Sequence, residues 1–526
     1  MRLIIIALIV LLGYRTLTVL QMGRFADDPG VGWHLETGRM VLRDGAAPRF
    51  DPVLGFPKPT PWVADQWLSD AILFALFDHG DWPLTYGVLT ALSILTFFGL
   101  AFRIALERTG APVLAALAAF IGLKLATVHF IWRPVIFAFI LFAATTYLTT
   151  RLVTRLRRGD VIRWRDVLVW VPVFALWANI HPSFALGLIV VTITLGGTWY
   201  DLYLIDRRPP PRHAGLRCVT GVLAASLVTL LNPYGVALHH QIAGLVSSDF
   251  FMRLNTEWRP LDPTTGEGTL FLLVLGFIIL AGIITPERGR LLGFADLLVL
   301  GLLSALALGS VRYLPYFAIV ATPLLATALL DTARHPVFSR LPLFHRLGER
   351  CAAVCRHSAW YPRSYALGIA LLTVFPIISA VTSQTVYPFR GPFGPSLERY
   401  PYGAVQHLVG LVESGEVSRP MRLAASPDWG GFITHYGHGA VIPVIDDRNS
   451  LLGVTAYERY LAGVAIGGDL TGYLSEVGAA YIALPVSSPL AIYLRDTGRG
   501  HEVYRDGVAV VFTLPDDQKV DGATHE

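Results

Sequence analysis

Charge is scarce in this sequence. Of 526 residues, 15% are charged and 53% are hydrophobic, with a mean hydropathy of +0.53. A soluble globular chain carries about a quarter charged residues. There is too little charge here to cover a soluble body of this size. The same composition excludes intrinsic disorder, which needs low hydrophobicity and high charge. Cysteine is scarce too: Cys218, Cys351 and Cys355 are the three present. That excludes a disulfide scaffold, and Cys351 and Cys355 have no second pair to complete a zinc site. Lysine is confined to Lys58, Lys124 and Lys519 among 42 basic residues. This arginine bias, with abundant alanine, leucine and glycine, suggests a GC-rich bacterial genome. The net charge of +4 resides in short loops and is no nucleic-acid signal. Neither a P-loop, nor a glycine-rich dinucleotide fingerprint, nor a zinc signature is evident. What remains is a polytopic membrane protein.

A membrane-crossing helix needs about 20 mostly apolar residues. The first such run is Leu3 to Leu20. Arg24-Phe25-Ala26 is a poor cleavage site, so the run reads as a retained helix rather than a signal peptide. Further runs fall near 83–106, 111–128, 134–150, 167–180, 183–205, 218–233, 269–285, 294–310, 313–330 and 366–383. The expectation is an α-helical polytopic protein of about 11 spans. Arginine clusters at 151–165, 207–217 and 331–365 share one side under that count, which places the N-terminus in the cytoplasm and the C-terminal region outside.

Two segments lie outside the spans. The first, 22–82, is a large outer loop. Within it Trp33 to Leu42 and Trp67 to Phe77 read as amphipathic helices that could lie in the membrane interface. The second, 384–526, alternates helix and strand patterns. Helices are expected at Tyr402–Glu413, Thr455–Val464 and Pro489–Asp496. Strands are expected at Met421–Ala425, Ala440–Ile445, Ala480–Leu484 and Val508–Leu514. The domains are therefore a multi-span part, 1–383, and an extracytoplasmic α/β domain, 384–526.

Candidate chemistry gathers at the outer side. Asp27 and Asp28 follow the first span, where a carboxylate could act as general base near a lipid headgroup. The bland reading is a solvated flank that stops the helix. His34 could bind phosphate or a sugar hydroxyl, and it shares the loop with Asp65 and Asp70. Arg133, Arg259 and Arg312 lie in outer turns, against the positive-inside trend. Arginine suits bidentate phosphate recognition, and the alternative is pairing or snorkelling. His181 sits at another outer turn and could join them. In the last domain, Ser426 to Gly431 and Asp446-Asp447-Arg448-Asn449 follow strands, where open α/β sheets place ligands. They could equally be a turn and a helix cap.

This arrangement resembles the GT-C superfamily of membrane glycosyltransferases, which includes aminoarabinose, protein O-mannosyl and oligosaccharyl transferases. It resembles more specifically a widespread, thinly characterised bacterial group of multi-span proteins. The strings that carry the resemblance include Asp28-Pro29-Gly30-Val31-Gly32-Trp33-His34, Pro61-Trp62-Val63-Ala64-Asp65-Gln66-Trp67, Trp132-Arg133-Pro134 and Trp177-Ala178-Asn179-Ile180-His181. Leu231-Asn232-Pro233-Tyr234-Gly235, Glu257-Trp258-Arg259-Pro260, Arg312-Tyr313-Leu314-Pro315 and Asp428-Trp429-Gly430-Gly431 continue it through most of the chain. The resemblance implies a sugar donor linked to polyprenyl phosphate and a glycan, lipid or protein acceptor, in a bacterial inner membrane. It implies Asp28 as catalytic base, with Asp27 as understudy. Many members carry a second aspartate where this chain has Gly30. If that residue is the base, Asp65 is the fallback, or the role is binding alone. No metal is implied, although a divalent metal is compatible. The rival classes are a lipid or glycan transporter and a non-catalytic lipid-binding scaffold.

Overall fold

In the computed structural model the described residues are 11–12, 25–51, 53–54, 59–246, 250, 258–284, 292–335, 368–371, 373–378 and 394–514. The helices used below are, in chain order, α1 (Val31–Asp44), α2 (Trp67–Ile94), α3 (Pro112–Ala126), α4 (Val135–Arg158), α5 (Trp170–Ile180), α6 (Phe184–Tyr200), α7 (Arg212–Val228), α8 (Val236–Val246), α9 (Gly266–Ile284), α10 (Phe294–Gly309) and α11 (Leu314–Arg334). Then come α12 (Tyr402–Glu413), α13 (Pro427–Tyr436), α14 (Asn449–Val464), α15 (Leu470–Val477) and α16 (Pro489–Asp496). The strands are β1 (Met421–Ala425), β2 (Val441–Pro443), β3 (Tyr481–Pro485), β4 (His501–Arg505) and β5 (Ala509–Thr513).

The chain divides into two compact units. One comprises Met1–Met22, His79–Ile242 and Val246–Gly391. The other comprises Gly23–Asp78, Ala243–Leu245 and Pro392–Glu526. The acidic loop after the first apolar run thus shares a unit with the C-terminal region.

The first unit is helical. Among the described residues, six helical runs are long and apolar enough to cross a membrane: Trp67–Thr109, Pro112–His129, Val135–Arg158, Phe184–Ile205, Gly266–Ile284 and Val311–Arg334. The chain is a multi-pass membrane protein. Shorter helices occupy other expected runs, including α5, α7 and α10. The run at Leu3 to Leu20 lies outside the described residues apart from 11–12. The helix expected at Trp67–Phe77 continues to Ile94, with non-helical backbone at Gly80 and Asp81. The apolar path then passes through a π-helical turn, Leu95–Ala101, into Phe102–Thr109. Prolines open α3 and α11, where the missing N–H is harmless. Nearly every residue of α11 from Leu314 to Ala328 is buried. It crosses α3 closely because Gly122 has no side chain: a Cβ there would overlap the Thr322 hydroxyl. Trp132, Trp170 and Trp177 are fully buried in this unit.

The second unit is built on a five-stranded sheet of order β2-β1-β3-β5-β4. β2, β1 and β3 are parallel, and β5 joins β3 and β4 antiparallel. Fully buried Leu423, Val405, Leu408, Ile433 and Val511 centre its core. α1 does not lie free as an interfacial helix. It buries Val31, Trp33, Leu35 and Val41 within this unit and crosses α13 at a glycine pair. A Cβ on Gly32 would overlap the Gly431 carbonyl, and one on Gly431 would overlap that of Pro29. The Gly430-Gly431 string is therefore helical packing, not a turn.

Candidate functional site

The expected site residues fall in both units, and each group is described in its own unit. In the second unit, Asp27 and Asp28 precede α1. Asp27 Oδ1 accepts the Ser396 N–H at 2.6 Å, and Arg399 Nη1 lies 3.6 Å from Oδ2. Asp28 is 6% exposed, and its Oδ1 accepts the Gly30 N–H at 2.9 Å. Its carbonyl accepts the Val31 N–H, so the carboxylate is held by the tight entry into the helix. Tyr400 sits in reach of both. Burial, then Asp28 and Asp27, then Asp447 push its hydroxyl above the usual tyrosine range. Tyr400 therefore stays protonated and can donate a hydrogen bond.

His34 is buried, with Nδ1 2.7 Å from Asp70 Oδ1. A carboxylate on one ring nitrogen fixes tautomer and orientation. The ring lies 3.6 Å from the Trp33 ring. Trp33 Nε1 donates to Asp447 Oδ1 at 2.7 Å. Asp65 stands close enough to act on the Asp70 charge, and it accepts from Gln66.

Beside these lies a buried ionic triad. Arg448 Nη1 donates to Asp51 Oδ1 at 2.7 Å, and Nε donates to Asp446 Oδ2 at 2.8 Å. The guanidinium is centred 4.7 Å from the Trp62 ring and 5.7 Å from the Trp33 ring. Burial alone disfavours its charge, but Asp446 and Asp51 hold its pKa above the ordinary arginine value. Asp446-Asp447-Arg448 thus ties loop residues Trp33, Asp51 and Trp62 to the sheet. Sequence reasoning noted the acidic run but not Asp51, because the pair is separated by 397 residues.

In the first unit, Arg133, His181 and Arg312 come together. Each stands just before a helix: Arg133 before α4, His181 before α6 and Arg312 before α11. Three helix N-termini therefore open beside this basic group, and each adds a partial positive charge. His181 is buried. Burial first, then the charges of Arg312, His129 and Arg133, hold its pKa well below the ordinary histidine value. The Ser183 N–H donates to His181 Nδ1 at 3.1 Å, so Nδ1 carries no proton and Nε2 does. Ser183 Oγ also contacts Nδ1 at 2.9 Å and accepts from Trp177 Nε1 at 3.1 Å. His181 is a neutral donor held in one orientation.

Arg312 lies with its guanidinium 4.6 Å from the Trp258 ring centre. Arg259 joins through its backbone, its carbonyl accepting the Val311 N–H at 3.0 Å, while its side chain is exposed. His129 is a member that sequence reasoning missed. It ends the helical run before Trp132, and only its proximity to His181 reveals it. The group combines two guanidiniums with three helix N-termini, an arrangement chemically able to hold an anion. His239 is not part of it. Its Nε2 meets the Thr229 hydroxyl at 3.0 Å, and its ring packs on Phe184. Among the described residues no group of three or more histidine, cysteine, aspartate or glutamate side chains stands together as a metal site.

No protein-family model matches the chain. No curated protein matches it either. Among solved structures, it is similar to the oligosaccharyltransferase of Archaeoglobus fulgidus in the apo form, with a TM-score of 0.57 and 14% identity, over 98% of this chain and 74% of that one. ArnT from Cupriavidus metallidurans also matches, apo at a TM-score of 0.43 and 15% identity, and bound to undecaprenyl phosphate at 0.41 and 13%. Each ArnT match covers 97% of both chains. The oligosaccharyltransferase match shows a shared fold, and an oligosaccharyltransferase is one of the enzymes named in the sequence resemblance. The GT-C expectation is met at the level of fold.

Proposed function

We propose that this protein is a membrane glycosyltransferase that moves a sugar from a polyprenyl-phosphate donor to a glycan, lipid or protein acceptor at the outer face of a bacterial inner membrane. The observation that carries this reading is the convergence of Arg133, His181 and Arg312 at three helix N-termini. Such a group suits a phosphate on a lipid embedded beside the helices. The fold shared with an oligosaccharyltransferase supports the reaction class.

Under this reading Asp28 takes the proton from an acceptor hydroxyl. The oxygen attacks the anomeric carbon as the bond to the phosphate oxygen breaks. The bonding electrons stay on that oxygen, and polyprenyl phosphate departs with the configuration inverted. Arg133 and Arg312 stabilise the charge that develops on the leaving phosphate. Neutral His181 donates from Nε2 without adding charge. Arg259 is exposed and serves the donor's approach. His34, oriented by Asp70, and Asp65 serve acceptor binding. A divalent metal is compatible with this scheme, and no step depends on one.

The test offers purified wild type, Asp28→Asn and Arg312→Gln a panel of polyprenyl-phosphate sugars with extracted envelope glycans. Release of polyprenyl phosphate is followed by mass spectrometry. Release by wild type, loss in Asp28→Asn with donor still bound, and weakened donor binding in Arg312→Gln support the reading. A charged hydrogen bond contributes about 1.5–3 kcal/mol, so Arg312→Gln should weaken donor binding roughly 10–150-fold. Equal release by wild type and Asp28→Asn moves the base elsewhere. Donor binding without release favours the lipid-binding scaffold.

A further inference from the structure

His181 stands between α5 and α6 on extended backbone, φ −165° and ψ 140°, as suits a residue before proline. No helix therefore fixes the direction of its side chain, and hydrogen bonds must do so. Trp177, one turn upstream in α5, anchors it twice. Its carbonyl accepts the His181 N–H at 3.0 Å. Its Nε1 donates to Ser183 Oγ at 3.1 Å. Ser183 in turn meets His181 Nδ1 through Oγ at 2.9 Å and through its N–H at 3.1 Å.

Ser183 is the N-cap of α6, where a serine oxygen ordinarily accepts an N–H from the first turn. Here its side chain makes no cap bond. The hydroxyl goes to Trp177 and His181 instead, a departure from local helix chemistry of the kind that marks a functional site. The indole is held just as firmly. Trp177 is fully buried, its ring stacked on Phe174 with centroids 5.5 Å apart and edge-on to Phe142 at 6.3 Å. It fits against α6 because residue 187 is glycine: a Cβ there would stand 2.5 Å from the indole ring. Tyr316 faces Ser183 from α11, but its buried hydroxyl makes no hydrogen bond among the described residues. The indole is therefore the side chain that orders Ser183.

We propose that Trp177 and Ser183 are positioning residues that act through His181 and lock it as a neutral donor at Nε2. This deepens the phosphate-binding role given to His181 above and rests on it. The indole proton occupies one acceptor site of Ser183 Oγ and turns the serine hydroxyl proton toward Nδ1. Nδ1 then faces two donors, the O–H and the N–H of Ser183. A proton on Nδ1 would meet the Ser183 N–H donor against donor. Hydrogen bonding therefore opposes both the imidazolium and the Nδ1-protonated tautomer. This acts alongside burial and the facing charges of Arg312, His129 and Arg133. The basic group thus gains no charge from His181 as pH falls. His181 binds the departing phosphate oxygen without giving up a proton to it.

The test reads the histidine ring nitrogens of the full chain in liposomes by solid-state NMR with isotope-labelled histidine. His181→Gln identifies the His181 signals by their loss. At neutral pH wild type is expected to show one species, neutral and protonated at Nε2. Ser183→Ala removes the hydroxyl, and Trp177→Phe removes the indole N–H while keeping an aromatic ring against Gly187. Each should raise the proton affinity of Nδ1 about tenfold, the effect of one net hydrogen bond. That appears as a larger share of the Nδ1-protonated tautomer and as imidazolium forming about one pH unit higher. Ser183→Thr keeps the hydroxyl and should match wild type. Thermal melts confirm that the variants fold; a purely structural role would lower the melt and leave the ring signals alone. A proton on Nδ1 in wild type would overturn the proposal. So would wild-type ring signals in both folded variants. Binding of undecaprenyl phosphate is measured separately, so a locked Nε2 tautomer in a wild type that binds none supports the lock and refutes the phosphate reading.

Discussion

Arg448 offers the sharpest test of how the second unit is held together. Its side chain is 2% exposed, and Asp51 and Asp446 are each 0% exposed. Water therefore does not screen the pairs. Replacing Arg448 with methionine keeps most of the volume but strands two buried carboxylates. Breaking a buried pair in this way costs about 3–5 kcal/mol. For a unit of this size, 1 kcal/mol moves the melting temperature by about 2–4 °C, so Arg448→Met should lower it by roughly 6–20 °C. Arg448→Lys should recover only part, because an ammonium cannot span both carboxylates as the planar fork does. Neutralising the partners should recover more. Arg448→Met combined with Asp51→Asn and Asp446→Asn removes the stranded charges and should regain most of the loss. The assay is thermal unfolding of the full chain in detergent, with hydrogen exchange over residues 40–54 and 440–460 to locate the change. An unchanged melt in Arg448→Met would refute the reasoning. So would a triple variant no better than the single one, since the loss would then come from packing against Trp33 and Trp62 rather than from charge.

Two further predictions concern packing and pH. Gly32→Ala places a methyl on the Gly431 carbonyl, so α1 must move from α13; protease nicking of the 25–60 segment should rise sharply, while Gly45→Ala, at an open position, should act only through its left-handed backbone. His181 has a folded pKa depressed below that of the unfolded chain. Above pH about 6.5 both states are neutral and the residue leaves stability unaffected by pH. As pH falls below that value the unfolded chain takes up the proton first, so the folded state loses about 1.4 kcal/mol per pH unit until its own pKa is reached. The fall in melting temperature between pH 7.5 and pH 5.5 should therefore be smaller in His181→Gln than in wild type.

Much of the architecture is local and was legible. Apolar runs of helix length became helices because the period and the composition need no distant partner. α12, α16 and β1 have the expected bounds. The misses have local causes as well. β4 is an edge strand, partly or fully exposed at every residue, so it carries no apolar run. α13 contains Gly430 and Gly431, which read as a turn in one dimension. Of about eleven expected spans, six runs qualify by length and composition among the described residues; α5, α7 and α10 are shorter, and the run at Leu3 to Leu20 lies almost wholly outside those residues.

The site was legible only as a parts list. The sequence by itself determined the membrane class, the helical runs and the residue types able to hold a phosphate or take a proton. Spacing along the chain could nominate Arg133, His181 and Arg312, but it could not put them beside one another. The tertiary structure did so, because three helices begin at the same end of one bundle, and this also brought His129 into the group. It likewise paired Asp51 with Arg448 across 397 residues, and His34 with Asp70 across 36. Local periodicity records which face of an element is buried. It holds no information on which distant face will cover it, and electrostatic partners are chosen by that second fact.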